Sequence, residues 1–239
     1  MLTYSKVPSF IICLSAALIL FSCTCETEDP GPTQHSEKEF SIVDFDRLEM
    51  GSALNIRVEQ SSTYSVDVRG DRRNIDDLQV SKSGGTLIIK FDDNTNRIHE
   101  TYVTIKMPYL DAVNFSGASV SQVNGFESDQ ELDFYLSGAS VCQLSAGYRQ
   151  VNLYLSGSSS LHMYGLGDEI NAEISGASVL TAFDYPVREA EIEVSGASSG
   201  KVTVTDELKA TAAGGSSLLY RGNPSVSFNT SGASTVQKD

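Results

Sequence analysis

The chain is predicted to be all-β: a right-handed parallel β-helix of about seven coils carrying an N-terminal β layer. Three observations carry that prediction. A four-residue phrase recurs at Ser116-Gly117-Ala118-Ser119, Ser137-Gly138-Ala139-Ser140, Ser156-Gly157-Ser158-Ser159, Ser175-Gly176-Ala177-Ser178 and Ser195-Gly196-Ala197-Ser198. It returns in degenerate form at Ala213-Gly214-Gly215-Ser216 and a last time at Ser231-Gly232-Ala233-Ser234, with successive starts 21, 19, 19, 20, 18 and 18 residues apart. Such a period is too short for a helix pair and fits one turn of a β-solenoid. The second observation is alternation. One, three and five residues before the phrase stand Leu136, Phe134 and Leu132, then Leu155, Leu153 and Val151, then Ile174, Ala172 and Ile170, and then Val194, Ile192 and Ala190. Period-two alternation puts one face of a strand inward and the other in water. The third is the lack of any long 3.6-residue period, with turn-rich pieces such as Gly165-Leu166-Gly167-Asp168 and Arg221-Gly222-Asn223-Pro224 between coils.

Each element of the coil then has a physical reason. Glycine in the phrase permits a corner with positive φ, and the residue after it must be small if it points into a narrow interior. Equivalent residues on successive parallel strands lie about 4.8 Å apart, so the serines can pass hydrogen bonds from rung to rung. Nineteen residues at roughly 3.3 Å each give a perimeter of about 63 Å, enough for a three-sided coil. The crossover rule makes it right-handed. Repeated serines also invite a nucleophile reading, but no His or Lys recurs beside them to act as base, so they read as corners.

From the N-terminus, residues 1–22 hold Lys6 and an apolar run from Phe10 to Phe21, a signal-peptide core too short to span a bilayer comfortably. The run ends Leu20-Phe21-Ser22-Cys23, which resembles a bacterial lipobox with Cys23 as the lipidated residue. Residues 23–38 read as an acidic flexible tether, opening Thr24-Cys25-Glu26-Thr27-Glu28-Asp29-Pro30 with almost no apolar content. An acidic cluster just after the lipid cysteine resembles signals that carry lipoproteins to the outer cell surface in some Gram-negative bacteria. The expected address is therefore the outer membrane, lipid-anchored through Cys23 and facing outward.

Residues 39–108 form a second β region. Leu54–Glu59, Tyr64–Val68, Thr86–Lys90 and Tyr102–Lys106 all alternate and are separated by Gly70-Asp71 and Ser83-Gly84-Gly85. This region is expected to start or cap the solenoid of residues 109–239, because parallel solenoids expose unpaired strand edges at their ends. The motifs Phe45-Asp46-Arg47-Leu48, Leu54-Asn55-Ile56-Arg57-Val58-Glu59-Gln60, Val66-Asp67-Val68-Arg69-Gly70-Asp71 and Gly85-Thr86-Leu87-Ile88-Ile89, followed by the serial Ser-Gly-Ala-Ser coils, resemble the auto-transporter adhesin head, or GIN-domain, family of bacterial envelope proteins. The resemblance covers residues 39–239. It implies a β-helical fold and an envelope location, and it brings no catalytic residues.

Charge and cysteine usage narrow the partners. Without the leader the chain has 16 basic and 31 acidic residues, net −15, which argues against nucleic acid or an anionic membrane surface as partner. Cys13 leaves with the leader, Cys23 carries lipid, Cys25 is on the tether and Cys142 falls on an inward position, so no disulfide within the domain is expected. His35, His99 and His162 are scattered without ligand spacing, and no metal or other cofactor is implied.

The candidate binding face lies on the outward positions two and four residues before each phrase. Tyr135 and Tyr154 should stack one rung apart, flanked by Asp133, Asn152 and Asn171, with Glu173 on the next rung. An aromatic strip edged by amides and acids suits a glycan, while the same residues also serve as cross-rung stacking that stabilises the sheet. Glu173, Glu191 and Glu193 crowd neighbouring rungs. Like charges about 5 Å apart repel by roughly 0.8 kcal/mol in water, which the fold tolerates without Ca²⁺. A polysaccharide lyase or hydrolase, the chemistry other parallel β-helices host, would need a carboxylate pair or a metal with Lys or Arg in a groove. The acids here lie in uniform columns, so the expectation is a non-enzymatic surface binding or adhesion module. The alternatives are an envelope scaffold facing the periplasm and, behind it, a polysaccharide-active enzyme. A protein or glycan ligand and a homo-oligomer are the partners this reading admits.

Overall fold

The structure, a computed structural model, describes residues 31–92 and 97–239. The leader, the Cys23 motif and tether residues 23–30 lie outside the described residues. In chain order the elements are β1 (His35–Phe40), β2 (Arg47–Met50), β3 (Asn55–Gln60), β4 (Ser65–Asp71), the helical turn α1 (Arg72–Asp76), β5 (Leu78–Ser83), β6 (Thr86–Phe91), β7 (Thr101–Met107) and β8 (Ala112–Phe115). There follow β9 (Val120–Leu136), β10 (Val141–Leu155), β11 (Ser160–Ile174), β12 (Val179–Val194), β13 (Ser199–Ala212), β14 (Ser217–Arg221), β15 (Ser225–Thr230) and β16 (Thr235–Lys238).

The strands wind into a β-solenoid of about seven turns. β9 to β13 are 14–17 residues long because each runs from one Ser-Gly corner to the next. They pair in parallel, and the register matches the repeat residue for residue: Leu136 with Leu155, Ile174 with Val194, and Val194 with Ala212 on adjacent rungs or Leu155 with Ile174. Coils of unequal length stay in register because the surplus is absorbed away from the corner. The ladder slips between Ser145 and Gln150 against β9, and between Ala182 and Glu189 against β13. The second slip turns Tyr185 into the core, where its hydroxyl accepts from the Tyr148 N–H at 3.2 Å. Alternation then fills the interior: Val113, Phe134, Leu153, Ala172, Ile192 and Ala210 form one inward column of a continuous apolar core.

The corner explains why the phrase is Ser-Gly-small-Ser. Gly138 and Gly157 have φ of +74° and +76°, and a Cβ on either would lie 2.3 and 2.5 Å from the carbonyl oxygen of the glycine one coil earlier. Both backbone conformation and space therefore demand glycine. That same carbonyl accepts from the next residue of the following coil, Ala139 N–H to Gly117 O at 2.7 Å and Ser158 N–H to Gly138 O at 2.7 Å. The closing serine points inward, and the series Ser119, Ser140, Ser159, Ser178, Ser198 and Ser216 is at most 2% exposed. The expected rung-to-rung bonds form from Ser119 to Ser140 (3.1 Å) and from Ser159 to Ser178 (3.2 Å). Elsewhere the hydroxyl donates to corner carbonyls, as from Ser198 to Ser195 (2.7 Å) and from Ser216 to Val194 (3.0 Å). Buried at this depth, these hydroxyls are satisfied corner groups out of reach of any substrate.

The N-terminal region is more than a layer. β2 pairs in parallel with β8 and β3 with β9, so Arg47–Gln60 is itself a coil of the solenoid. Its corner is Gly51-Ser52-Ala53-Leu54, in register with Ser116-Gly117-Ala118-Ser119. Ser52 and Ala53 hold φ of +65° and +57° there, so this copy lacks the glycine that makes the others legible. β6 and β7 pair with β2 and β3 on the edges away from β8 and β9, so the later β6–β7 coil is laid outside the Arg47–Gln60 coil. Antiparallel strands then close that end: β4 on β7, β1 on β4, and β5 on β6. The tether predicted for 23–38 is correspondingly shorter, because His35–Lys38 belong to β1.

One buried carboxylate ties the cap together. Asp71, 1% exposed, accepts from Gln34 N–H (2.8 Å), from Arg73 N–H (3.0 Å) and from the Arg73 guanidinium (2.7 and 2.8 Å). The Arg73 side-chain bonds, helped by these backbone donors, outweigh burial and hold the Asp71 carboxyl well below the usual carboxylate range.

Candidate functional site

The outward positions of the sheet formed by β8 and the second halves of β9–β13 stand in two columns beside the Phe134–Ala210 core column. One column runs Ala112, Asp133, Asn152, Asn171, Glu191, Lys209 and Ser227; the other runs Asn114, Tyr135, Tyr154, Glu173, Glu193, Thr211 and Asn229. The alignment predicted from the repeats is the register observed.

The tyrosines stack. The rings of Tyr135 and Tyr154 lie 4.6 Å apart and within 6° of parallel, and the residues are 40% and 37% exposed. At that spacing each ring covers one face of the other. Solvent meets the ring edges and the two outer faces, one toward the Asn114 rung and one toward the Glu173 rung. Burial, with smaller contributions from Asp133, Tyr154 and Glu173, raises the Tyr135 phenol above its ordinary value.

The polar flank is a ladder. The Asn152 amide donates to Asp133 at 2.8 Å and accepts from Gln150 at 3.0 Å; Asn171 donates to Asn152 at 3.4 Å and to Glu169 at 3.0 Å. A ligand on this flank must exchange some of those bonds for its own. Glu173 and Glu193 differ, having no hydrogen bond or ion pair among the described residues. Further along, Lys209 pairs with Glu207 at 3.2 Å and feels Glu191 and Glu189, which with Glu207 raise its pKa.

Two concave places were not foreseen in the sequence, because each gathers residues from distant segments. A groove at the capped end is lined by His35, Arg69, Ile98, His99 and Tyr102. His99 there bonds Thr33 through Nδ1 (3.1 Å) and the Gly31 carbonyl through Nε2 (3.2 Å). A second groove joins Asp44, Asp46, Tyr64, Tyr109, Asp111 and Glu127, with Tyr109 strongly exposed. Burial, then Asp46, raises Asp111; burial, then Asp44 and Asp46, raises Tyr64. The only signal in the sequence was the acidic turn Asp44-Phe45-Asp46.

Among the described residues no cluster of three or more His, Cys, Asp or Glu has the geometry to hold a metal ion. Cys142 lies fully inside, and burial, only partly opposed by a hydrogen bond from Ser121, pushes its thiol up to about 12. It is packing rather than a nucleophile. His162 is half-buried on its outward column rather than freely solvated.

The family described as "Putative auto-transporter adhesin, head GIN domain" matches residues 44–224, and the chain belongs to it. No curated protein matches. Among solved structures, a "putative adhesin" from Bacteroides fragilis superposes with a TM-score of 0.81 at 18% identity, over 87% of this chain and 98% of that one. A "putative adhesin" from Parabacteroides distasonis gives 0.72 at 20% identity, over 87% and 98%. A protein described as a "putative lipid binding protein" from the same species gives 0.66 at 18%, over 86% and 96%. At these identities the likeness establishes the fold.

Proposed function

We propose that this chain is a lipid-anchored module of the bacterial cell surface that works by binding rather than by catalysis. Membership of the adhesin-head family is the observation that carries the reading, and it supports an envelope location and an adhesion-type role. The Leu20-Phe21-Ser22-Cys23 motif and the acidic residues after it support anchoring at Cys23 in the outer membrane, facing outward. The solenoid suits such a role because its rigid parallel rungs hold outward side chains at fixed spacing.

The binding face is proposed to be Asp133, Tyr135, Asn152, Tyr154, Asn171 and Glu173. A glycan would lie against an outer face of the tyrosine stack, the one toward Glu173, where an unengaged carboxylate sits beside an apolar ring. Glycan arrays probed with the mature protein test this. The expected result is retention of a neutral or amino sugar that is lost in the Tyr154→Ala and Glu173→Gln variants with their folds intact. Retention that survives both substitutions, together with Tyr135→Ala, would remove this face from the account and leave the surface-adhesion reading to other sides of the solenoid.

A further inference from the structure

We infer that the strip of outward residues just past the Ser-Gly corners is a second binding face, and that it takes a short acidic glycan. The parallel register of β3 and β9–β13 sets Arg57, Gln122, Gln143, His162, Thr181 and Lys201 in one outward row. Six rungs at about 4.8 Å give it a length of roughly 24 Å, enough for several sugar units. Beside it a second row runs from Asn55 to Ser199, in which Val120 and Val141 are 53% and 43% exposed. Over these rungs neither row contains a carboxylate, in a chain of net charge −14. The acids stand around the corner, in the columns of Glu173, Glu191 and Glu193. In the next outward row the strip is bordered by Glu59, which Arg57 already holds at 3.4 Å, and by Asp184. Beyond Arg57 the row continues to Thr104 and Asp67, whose carboxylate accepts from Ser65 at 3.0 Å.

Hydrogen-bonding capacity separates this strip from the tyrosine face. There the amides bond one another. Here the side chains of Gln122, Gln143, His162 and Thr181 have no hydrogen bond or ion pair among the described residues. The Arg57 guanidinium is half exposed and keeps donors beyond the one it gives Glu59. Lys201 lies over the Phe183 ring at 6.0 Å and holds no carboxylate. The row therefore offers polar groups rung after rung, with a full positive charge at each end.

Charge complementarity selects the occupant. A ligand lying along the row meets the two cations and the unengaged groups between them, so it must bring acceptors and negative charge along its length. The exposed valines and the Tyr164 ring, exposed beside His162, supply apolar contact for the C–H groups of a sugar. An acidic peptide fits less well. Peptides add to sheets along a free strand edge, and β3 and β9–β13 each have a neighbour on both sides. The net charge repels long polyanions, so the ligand is short. This assignment goes beyond the tyrosine stack and does not depend on it.

The experiment measures retention of the full chain, purified from its host's envelope, on immobilised oligosaccharides. The probes are a uronate hexamer, its neutral methyl ester, a sulfated hexamer and a hexaglutamate peptide. Retention is expected on the uronate or the sulfated hexamer, whichever carries the charge the strip accepts, and should fall as salt is raised. Gln143→Glu, an isosteric change at an exposed position, should weaken it about fivefold with an unchanged circular-dichroism melt. Arg57→Gln combined with Lys201→Gln should weaken it about tenfold and serves as the second variant should the first disturb the fold. Glu193→Gln, around the corner, should leave it unchanged. Absence of retention on both acidic glycans, equal retention on the methyl ester or on hexaglutamate, or retention that survives both strip variants would each overturn the inference. None of these results bears on the tyrosine stack, whose own test uses other substitutions.

Discussion

The body of the solenoid and its cap solve the same problem with different means. From β9 onward each coil repeats one corner, with a glycine stacked on a glycine. From Ser119 to Ser216 a buried serine stands behind it. In the cap, the corner at Gly51-Ser52-Ala53-Leu54 holds the same register without the glycine. There Ser52 bears a left-handed φ, and Leu54 fills the serine's place in the core. The comparison teaches that the corner is enforced by its neighbours. Where an earlier coil's carbonyl lies within 2.3–2.8 Å of the missing Cβ, only glycine fits. At Ser52 the side chain is exposed, and the strain is borne by packing on both sides, from β6–β7 and from β8–β9.

The largest expected effect breaks the body. Gly138→Ala should cost on the order of 3 kcal/mol in chemical denaturation, because it adds backbone strain to a contact 2.3 Å from Gly117 O. Ser52→Gly should move the other way, stabilising by about 1 kcal/mol as left-handed strain is relieved. A destabilised Ser52→Gly, or a neutral Gly138→Ala, would show that the two corners are held by something other than this carbonyl stack.

A smaller effect separates the serine stack from simple packing. Ser159 donates to Leu136 O at 3.2 Å, and its hydroxyl also bonds Ser178. Ser159→Ala should therefore cost about 1–2 kcal/mol by leaving buried acceptors unmet. Ser234→Ala, in the exposed last coil, should cost well under that by equilibrium unfolding.

Acid distinguishes the cap from the body. The Asp71 pKa is depressed in the folded protein, so its contribution to stability is fully present above the unfolded value of about 4 and fades as pH falls below it. The thermal melt of the wild type should drop through that window, and Asp71→Asn should melt lower at neutral pH with a flatter acid limb. An unchanged acid limb would remove Asp71 as the fastener of the cap. The smallest effect belongs to the outward face: a double-mutant cycle on Tyr135 and Tyr154 should give a coupling of about 0.5–1.5 kcal/mol from their stacking.

Much of this was legible in the sequence for a physical reason. A repeat solves one packing problem many times, so Phe134, Leu153 and Ile192 announce the inward column, and Tyr135 must meet Tyr154 once the phrases are aligned. The coil through Ser52 was not legible, because its neighbours β6 and β8 come from segments far apart in the chain, and its corner lacks the defining glycine. Nor could alternation announce Tyr185, which is brought inside by a slip in strand register. The acidic groove of Asp46, Asp111 and Glu127 likewise exists only once distant segments meet.

Protease shaving of intact cells, with a periplasmic protein as internal marker and Cys23→Ala as control, tests the surface-adhesion account most directly. The account predicts that the wild-type domain is cut while the marker is spared, and that the Cys23→Ala form is lost from the cell surface. A domain that stays membrane-bound and protected until the outer membrane is breached would contradict it and make a periplasm-facing scaffold the better reading.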